Sequence, residues 1–319
     1  MTAPSPSPWL HRLAILTACV ALFPILMGAL VTTKDAGMAF SDWPSSDGHN
    51  MLAYPWFSSV GAKFLEHGHR LAGMLIGIVS ICLATAAWRC ERRAWARRMA
   101  YGVLAAVIVQ GILGGQRVLQ DQRVLAFLHG SLAPLVMALM VSVAAVTSRR
   151  WSDAPNEGAN RPTRGLQVLA VLTATCVFVQ YVLGALVRHQ WIARYEHLGF
   201  AVLTALLVVY LALSAAASGI AWLRGPATFL GVMTIVQLAL GVGAWVTKFG
   251  SSEYAAVYGS FVQNVFRTSH VLGGMLLFMG TVLLTMRAVR LNWLTANAAR
   301  TGAAAESIRV SLPLAGGAR

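Results

Sequence analysis

The sequence predicts an all-α integral membrane protein with eight transmembrane helices, arranged as two duplicated four-helix bundles. Composition, recurring apolar runs and repeated helix endings support this fold class. The chain has 319 residues, of which 57% are hydrophobic and 11% charged, and its mean hydropathy is +0.64. Because a soluble domain carries about 25% charged residues, this chain has too few polar groups to cover a water-exposed surface.

Eight apolar runs supply the predicted transmembrane helices. Each is about 20 residues long, enough for a helix to cross roughly 30 Å of hydrocarbon. The predicted spans are about 10–31, 67–88, 99–117, 124–147, 166–187, 197–217, 226–247 and 269–288. The first run is too long for a cleaved signal peptide and lacks a convincing cleavage site, so we expect it to stay as a helix.

The arginines predict the orientation of these helices. They crowd the connections after the second and fourth helices and the segment after the eighth, as at Arg92, Arg93, Arg149, Arg150 and Arg290. By the positive-inside rule, both termini lie in the cytoplasm. The net charge of +14 is then mainly a topology signal. Nucleic-acid binding is disfavoured because the charge sits in short connections. We therefore predict a multi-pass protein of a prokaryotic (inner) cell membrane.

Short motifs recur at one end of the odd-numbered helices and indicate an internal duplication. "GALV" occurs at 28–31 and again at 184–187. A second ending, Gln-x-x-Leu-Gly, runs from Gln110 to Gly114, from Gln180 to Gly184 and from Gln237 to Gly241. The predicted organisation is an N-terminal half at 1–150 with a long outer loop at 32–66, a cytoplasmic linker at 151–164, a C-terminal half at 165–289 and a cytoplasmic tail at 290–319.

Four histidines occupy equivalent places in the two halves. His69, His129, His197 and His270 each lie near the start of an even-numbered helix, on the predicted outer side. A single histidine there is as easily an interfacial polar residue, but four matched positions favour a shared role. Imidazole is a good iron ligand, and two imidazoles from facing helices can hold a six-coordinate heme.

Other metals fit the sequence less well. A zinc site requires converging ligands, often in a CxxC pattern, and the sequence has none. The four cysteines are scattered through or at the ends of helices, and we interpret them as small apolar residues. Because there is no CxxCH motif, any heme is held without a covalent bond.

The stretch "FLEHGHRLAGMLIG" places ionisable groups at the mouth of the second helix. Glu66, His69 and Arg70 are spaced i, i+3, i+4 and so share one face, whereas His67 points elsewhere and is a poorer ligand candidate. Glu66 either caps the helix or pairs with Arg70, or it handles protons or stabilises charge beside a bound heme. Arg70 can pair with Glu66 or bind a heme propionate, and we favour the propionate. The second half has no equivalent set, which predicts one reactive site and one cofactor site.

Several motifs together resemble the heme A synthase family. They are "GALVTTKDAGMAFSDWP", "EHGHRLAGMLIG", "QGILGGQRVL…LHG", "QYVLGALVRH" and "TSHVLGG". Family members are duplicated four-helix bundles that oxidise the C8 methyl group of heme O to a formyl group, by successive hydroxylations, to give the heme A of cytochrome oxidases. The loop cysteine pair of many bacterial relatives is absent from this sequence.

The resemblance implies a role for each site residue. His69 and His129 would hold the substrate heme, His197 and His270 would bind the iron of a heme b cofactor, and Glu66 matches the family's critical carboxylate. It also implies heme O as substrate, with heme O synthase and an electron donor as partners in the membrane lipid. A homo-oligomer is left open.

Two other functions compete with this interpretation. One is a di-heme b-type electron carrier linked to quinol, without chemistry on heme, whose signature is two equivalent histidine pairs. The other is a transporter or heme chaperone, which typically has broken helices at the membrane midplane. Pro24 and Pro134 are the interior candidates for such breaks.

Overall fold

A computed structural model describes residues 7–154, 162–250 and 259–311, with side chains up to residue 292. In this part of the chain the secondary structure is helical apart from turns and one isolated bridge. The helices are α1 (Pro8–Thr33), α2 (Gly61–Cys90), α3 (Ala94–Gln120), α4 (Arg123–Val146), α5 (Arg149–Ser152), α6 (Arg164–His189), α7 (Arg194–Ala217), α8 (Ala221–Phe249) and α9 (Phe261–Ser311).

The eight predicted apolar helices are confirmed. All except the short α5 are long and apolar enough to cross a membrane, with the span of α9 at Phe261–Asn292. The largest difference is in α9, which begins before the predicted 269 and continues as helix beyond 288 into the predicted tail. Pro24 and Pro134 lie inside the continuous helices α1 and α4, so neither proline ends its helix.

The long helices pack as two sets of four. In the first set α1 and α3 each contact both α2 and α4, and in the second α6 and α8 each contact both α7 and α9. Each set has a cluster of buried apolar side chains, centred on residues such as Leu83 and Val103 in the first and Leu211 and Leu230 in the second, and each cluster also includes side chains from the other set. The sets meet where α4 and α1 pack on α9 and α4 packs on α6. Residues 155–161 of the predicted linker lie outside the described residues.

The two ends of the bundle differ in character. At one end, which we call the histidine end, α1, α3, α6 and α8 finish and α2, α4, α7 and α9 begin. A structured loop at 34–60, with a 3-10 turn at Trp56–Ser58, joins α1 to α2 there. At the opposite end Glu91 pairs with Arg93 at 2.7 Å, and Arg93 also donates to the Val146 carbonyl. These charged contacts thus lie at the helix ends.

Candidate heme-binding site

The four predicted histidines form two facing pairs at the histidine end. The ring centres of His69 and His129 are 6.1 Å apart with an interplanar angle of 89°. Those of His197 and His270 are 6.2 Å apart at 90°. With metal–nitrogen bonds of about 2.0 Å and about 1.1 Å from nitrogen to ring centre, two imidazoles on opposite sides of one iron have centres about 6.2 Å apart. Both pairs therefore have the spacing that a six-coordinate heme iron requires.

The Nδ1 atoms of these histidines are directed at the preceding helix. His69 Nδ1 lies 3.0 Å from the Pro24 carbonyl, and His129 Nδ1 lies 3.1 Å from the Gln110 carbonyl. An Nδ1–H bonded to a carbonyl leaves Nε2 as the metal-binding nitrogen, an arrangement common among metal-ligating histidines. Within the described ranges, no hydrogen bond engages the Nε2 of either ring.

The second pair follows the same plan with one difference. His197 Nδ1 lies 3.1 Å from the Gln180 side chain, and the Gln180 backbone also faces the ring. The side-chain amide of Gln237 donates to the His270 backbone carbonyl at 3.0 Å. Nδ1 of His270, however, is buried without a well-formed hydrogen bond. The glutamines of the repeated ending thus orient the histidines of the next helix, with Pro24 in the equivalent place of the first helix.

The repeated glycines explain why the histidines fit where they do. A Cβ added at Gly28, Gly184 or Gly241 would lie 2.9–3.0 Å from Cε1 of the facing histidine, and one at Gly114 would lie 3.4 Å away. Each imidazole therefore rests directly on the backbone of the preceding helix. The sequence showed the repeated endings and the histidines as separate patterns. The structure shows that the glycine of each ending contacts one of the histidines, so the same contact occurs four times.

Glu66 and Arg70 form a buried ion pair beneath the 34–60 loop. Arg70 Nη2 donates to Glu66 Oε1 at 2.7 Å, and the two side chains are 6% and 4% exposed. The other carboxylate oxygen accepts from the Ala39 amide at 2.7 Å. Arg70 also donates to the carbonyls of Asp42 (2.9 Å) and Ser45 (2.5 Å). Of the two roles foreseen for Arg70, pairing with Glu66 is the one in this structure, while propionate binding stays a prediction.

The loop is further fastened to α3 by contacts that sequence reasoning missed. Arg117 donates to the Gly37 carbonyl, and the Trp43 indole lies directly on Gly115, where a Cβ would overlap it. The signal was present in the sequence as a second glycine and an arginine directly after the repeated ending of α3. This contact explains the Trp of the Asp-Trp-Pro motif.

Asp42 of the same motif stabilises the loop itself. Its two oxygens accept from the amides of Asp47 at 3.0 Å and Gly48 at 2.9 Å. Partial burial raises the pKa of Asp42, but these bonds and one from Ser45 outweigh it and bring the pKa below the ordinary value. The charged carboxylate is therefore the form that holds the turn together.

The surroundings of the two histidine pairs differ. The first pair has the Glu66–Arg70 pair and the anchored loop nearby, together with Arg117. The second pair has Arg188 close to His270, and Glu196, next to His197, is exposed. The two sites thus differ in the side chains that surround the histidine pairs, as predicted. The distance and angle between the two rings are nearly the same in both pairs.

His189 is another residue that the sequence analysis passed over. It ends α6, in the second half, yet its ring packs on Gly130 of α4, where a Cβ would lie 2.9 Å from Nε2. Gly130 directly follows His129 in the sequence. His189 therefore lies where the two halves contact each other, next to the first histidine pair.

No other metal site emerges from the described residues. Within 7–154, 162–250 and 259–292, no group of three or more His, Cys, Asp or Glu side chains is arranged to hold a metal ion. The four cysteines are free and separate, at positions 19, 82, 90 and 176.

The fold and the site define a polytopic helical membrane protein with two facing histidine pairs near one membrane surface. The family described as COX15-CtaA, cytochrome oxidase assembly protein, matches residues 11–195. Since this match covers more than half of the chain, the protein belongs to the COX15-CtaA family.

Individual relatives are named heme A synthase. The protein from Symbiobacterium thermophilum is 31% identical over 188 residues, which is 56% of this chain and 59% of the relative. The protein from Alkalihalophilus pseudofirmus is 26% identical over 184 residues, again 56% and 59%. The one from Halalkalibacterium halodurans is 30% identical over 181 residues, 54% and 57%. The alignments thus span less than two thirds of the length of these relatives.

Proposed function

We propose that this protein is a heme A synthase, an oxidoreductase that converts the C8 methyl group of heme O to a formyl group by successive hydroxylations. The observation that carries the proposal is the asymmetry around two nearly identical histidine pairs. One pair lies beside a buried carboxylate–guanidinium pair under an anchored loop, whereas Glu196, the carboxylate next to the other pair, is exposed. A protein that modifies one heme and uses a second as a cofactor needs this kind of difference.

In this proposal the two pairs have different occupants. His69 and His129 hold the substrate heme O, and His197 and His270 hold the iron of a heme b cofactor, which supplies one-electron transfer when bound. The spacing of 6.1 Å and 6.2 Å between ring centres fits iron in both. The repeated glycines and the Nδ1 contacts orient the rings before heme arrives, which reduces the ordering that binding requires.

Glu66 is the proposed catalytic residue. Its carboxylate is fixed from two sides, by Arg70 at Oε1 and by the Ala39 amide at Oε2. A carboxylate held rigidly in an apolar setting exerts a strong local field, so it can stabilise positive charge that develops as the substrate methyl group is oxidised or accept a proton released there. The loop at 34–60 limits access of water to this point.

The wider setting of the activity follows from the same proposal. The protein lies in a prokaryotic (inner) cell membrane with both termini in the cytoplasm, as its arginine distribution favours. It receives heme O from a heme O synthase, exchanges electrons with a donor protein or carrier, and supplies heme A for cytochrome oxidase.

The equivalence of the two pairs favours a second candidate, a di-heme electron carrier. A carrier needs two low-spin sites and no chemistry on either heme, and the ring separations differ by only 0.1 Å. A pigment assay distinguishes the two candidate functions. The protein is produced in a host that makes heme O, and the extracted pigments are resolved by chromatography. Heme A in the extract supports the synthase, and heme b alone with an unchanged heme O pool supports the carrier.

The test of Glu66 is the variant Glu66→Gln, which keeps the shape of the side chain and removes its charge. We expect normal protein level and heme content with heme A output nearly lost. Proteolysis of the 34–60 loop serves as the control, because Glu66 also anchors that loop. Near-normal heme A output would refute the catalytic role, and loss of output together with a loosened loop would reassign Glu66 to a structural one.

A further inference from the structure

A cavity of about 550 Å³ lies between loop residues 51–58 and the α2 residues His67 and Leu71. We call it the loop cavity. A helix turns about 100° per residue, so His67 and Leu71 stand about 160° around α2 from His69. The loop cavity is therefore on the opposite side of α2 from the first histidine pair, and heme bound between His69 and His129 does not fill it. Its volume is in the range of small-molecule sites, about 300–1,000 Å³.

Aromatic rings form much of the wall. The rings of Tyr54 and His67 are 4.6 Å apart between centres and tilted by 39°, and Trp56 stands 6.4 Å from His67. The Trp56 indole is itself fixed, since its Nε1–H donates to the Phe64 carbonyl at 2.9 Å. These rings contact one another, so a flat ligand ring would stack on the aromatic faces that remain open to the cavity.

The rim of the cavity is apolar and exposed. Leu52 is 74% exposed and Phe57 89% exposed, both in the loop that follows the end of α1. Because eight neighbouring helices are apolar enough to cross a membrane, this rim lies at the edge of the bilayer. Apolar side chains at such a place admit a ligand that arrives from the lipid and whose tail stays there.

The cavity has one polar group that needs a partner. His67 is fully buried, and its Nδ1 is 3.0 Å from Ser46 Oγ. Its Nε2 is buried without a hydrogen bond, although the backbone of Met51, another lining residue, approaches the ring. Because the Met51 contact is not a well-formed hydrogen bond, a ligand oxygen that displaces it and bonds to Nε2 would be favoured.

A chain of polar contacts leads from His67 to the first histidine site. Ser46 Oγ, which contacts His67, is 3.4 Å from Arg70 Nη1, and Arg70 Nη2 is 2.7 Å from Glu66 Oε1. The contacts lead from the loop cavity to the carboxylate of Glu66. They offer a route by which a ligand in the cavity would affect the position of Glu66.

We propose that the loop cavity binds the ring of a lipid-soluble quinone, with His67 as the hydrogen-bonding partner of one ring oxygen. Quinones combine a flat ring, two polar oxygens and an apolar tail, which match the aromatic wall, the single imidazole and the apolar rim. Only the link to Glu66 rests on the proposed function, because the binding site stands on its own geometry.

The experiment is a binding titration of the full-length protein in lipid nanodiscs with decylubiquinone as the probe, read by calorimetry. We expect saturable binding of one equivalent. Leu71→Trp fills the cavity from α2 without touching the loop hydrogen bonds and should abolish it. Leu75→Trp is the matched control, one turn further along the same face and 43% exposed, and should bind as the unaltered protein does. His67→Phe keeps a ring and removes the nitrogens, and it should weaken binding about 10-fold.

Each result decides the inference. Uptake that grows with lipid content and never saturates, or equal binding by Leu71→Trp, would overturn it. Heme A formation by a protein that does not bind the quinone overturns this inference and leaves the proposed function intact. Saturable binding by a protein that makes no heme A supports this inference and contradicts the proposed function. Heme content and loop proteolysis measured on every variant exclude misfolding as the cause of a loss.

Discussion

Replacing the repeated glycines with alanine tests whether they exist to seat the histidines. A Cβ at Gly184 would lie 3.0 Å from Cε1 of His197, and a Cβ at Gly241 would lie 3.0 Å from Cε1 of His270. Ordinary carbon–carbon contacts are about 3.5–4.0 Å. Each imidazole would therefore have to retreat by about 0.5–1.0 Å, whereas metal–ligand distances tolerate only about 0.2 Å.

We expect these glycine-to-alanine substitutions to weaken heme binding. In the heme-free protein the ring can swing away from the new methyl group, but a ring bonded to iron cannot. Overpacking typically costs about 1–3 kcal/mol, which corresponds to about 5- to 150-fold weaker binding. The same substitution raises intrinsic helix propensity by about 0.8–1.0 kcal/mol, so the helices themselves should be no less stable. Loss of heme with an intact fold is thus a specific signature of the contact.

The assay is titration of heme-depleted protein with hemin, together with heme content from the pyridine hemochrome. Gly184→Ala and Gly241→Ala should bind less heme at the second pair. Gly231→Ala, on α8 with open space around its Cβ, is the control and should be unaffected. Gly114→Ala, whose Cβ would be 3.4 Å from Cε1 of His129, should show a smaller loss at the first pair. Unchanged affinity in Gly184→Ala and Gly241→Ala would refute the reasoning.

Three further predictions follow from other contacts. Gly115→Ala displaces the Trp43 indole, so proteolysis of the 34–60 loop should become about 5- to 100-fold faster, while Gly111→Ala, which meets open space, should leave the rate unchanged. Burial raises the pKa of Glu91, but the bonds from Arg93 outweigh it and hold the pKa below 4.5. The pair therefore stabilises the fold above about pH 4.5 and loses its effect as the pH falls through the lowered pKa. Glu91→Gln should lower Tm by a few degrees at pH 7, and the difference should shrink progressively as the pH falls below 4.5; a constant difference would contradict this. Reporter fusions in the 151–164 linker and at the C-terminus should both read cytoplasmic, and an external reading at either would overturn the predicted topology.

The sequence by itself determined the helices and the positions of the site residues along them. Apolar runs of membrane length are a local property of the chain, since a helix in lipid satisfies its own backbone. The number and approximate positions of the spans were therefore correct without knowledge of any contact, although α9 is longer than predicted. The same holds for Glu66, His69 and Arg70, because helical periodicity alone places them on one face.

Only the tertiary structure decided which groups meet across helices. Periodicity cannot tell that Gly184 lies against His197, that His189 packs on Gly130 of the other half, or that Trp43 covers Gly115. Such contacts depend on how helices distant in sequence pack together. The contacts of Arg70 with the Asp42 and Ser45 carbonyls were likewise beyond the sequence, because these carbonyls belong to a loop that has no regular period. Helix formation is local and can be read from residue order, whereas side-chain partners are fixed by packing.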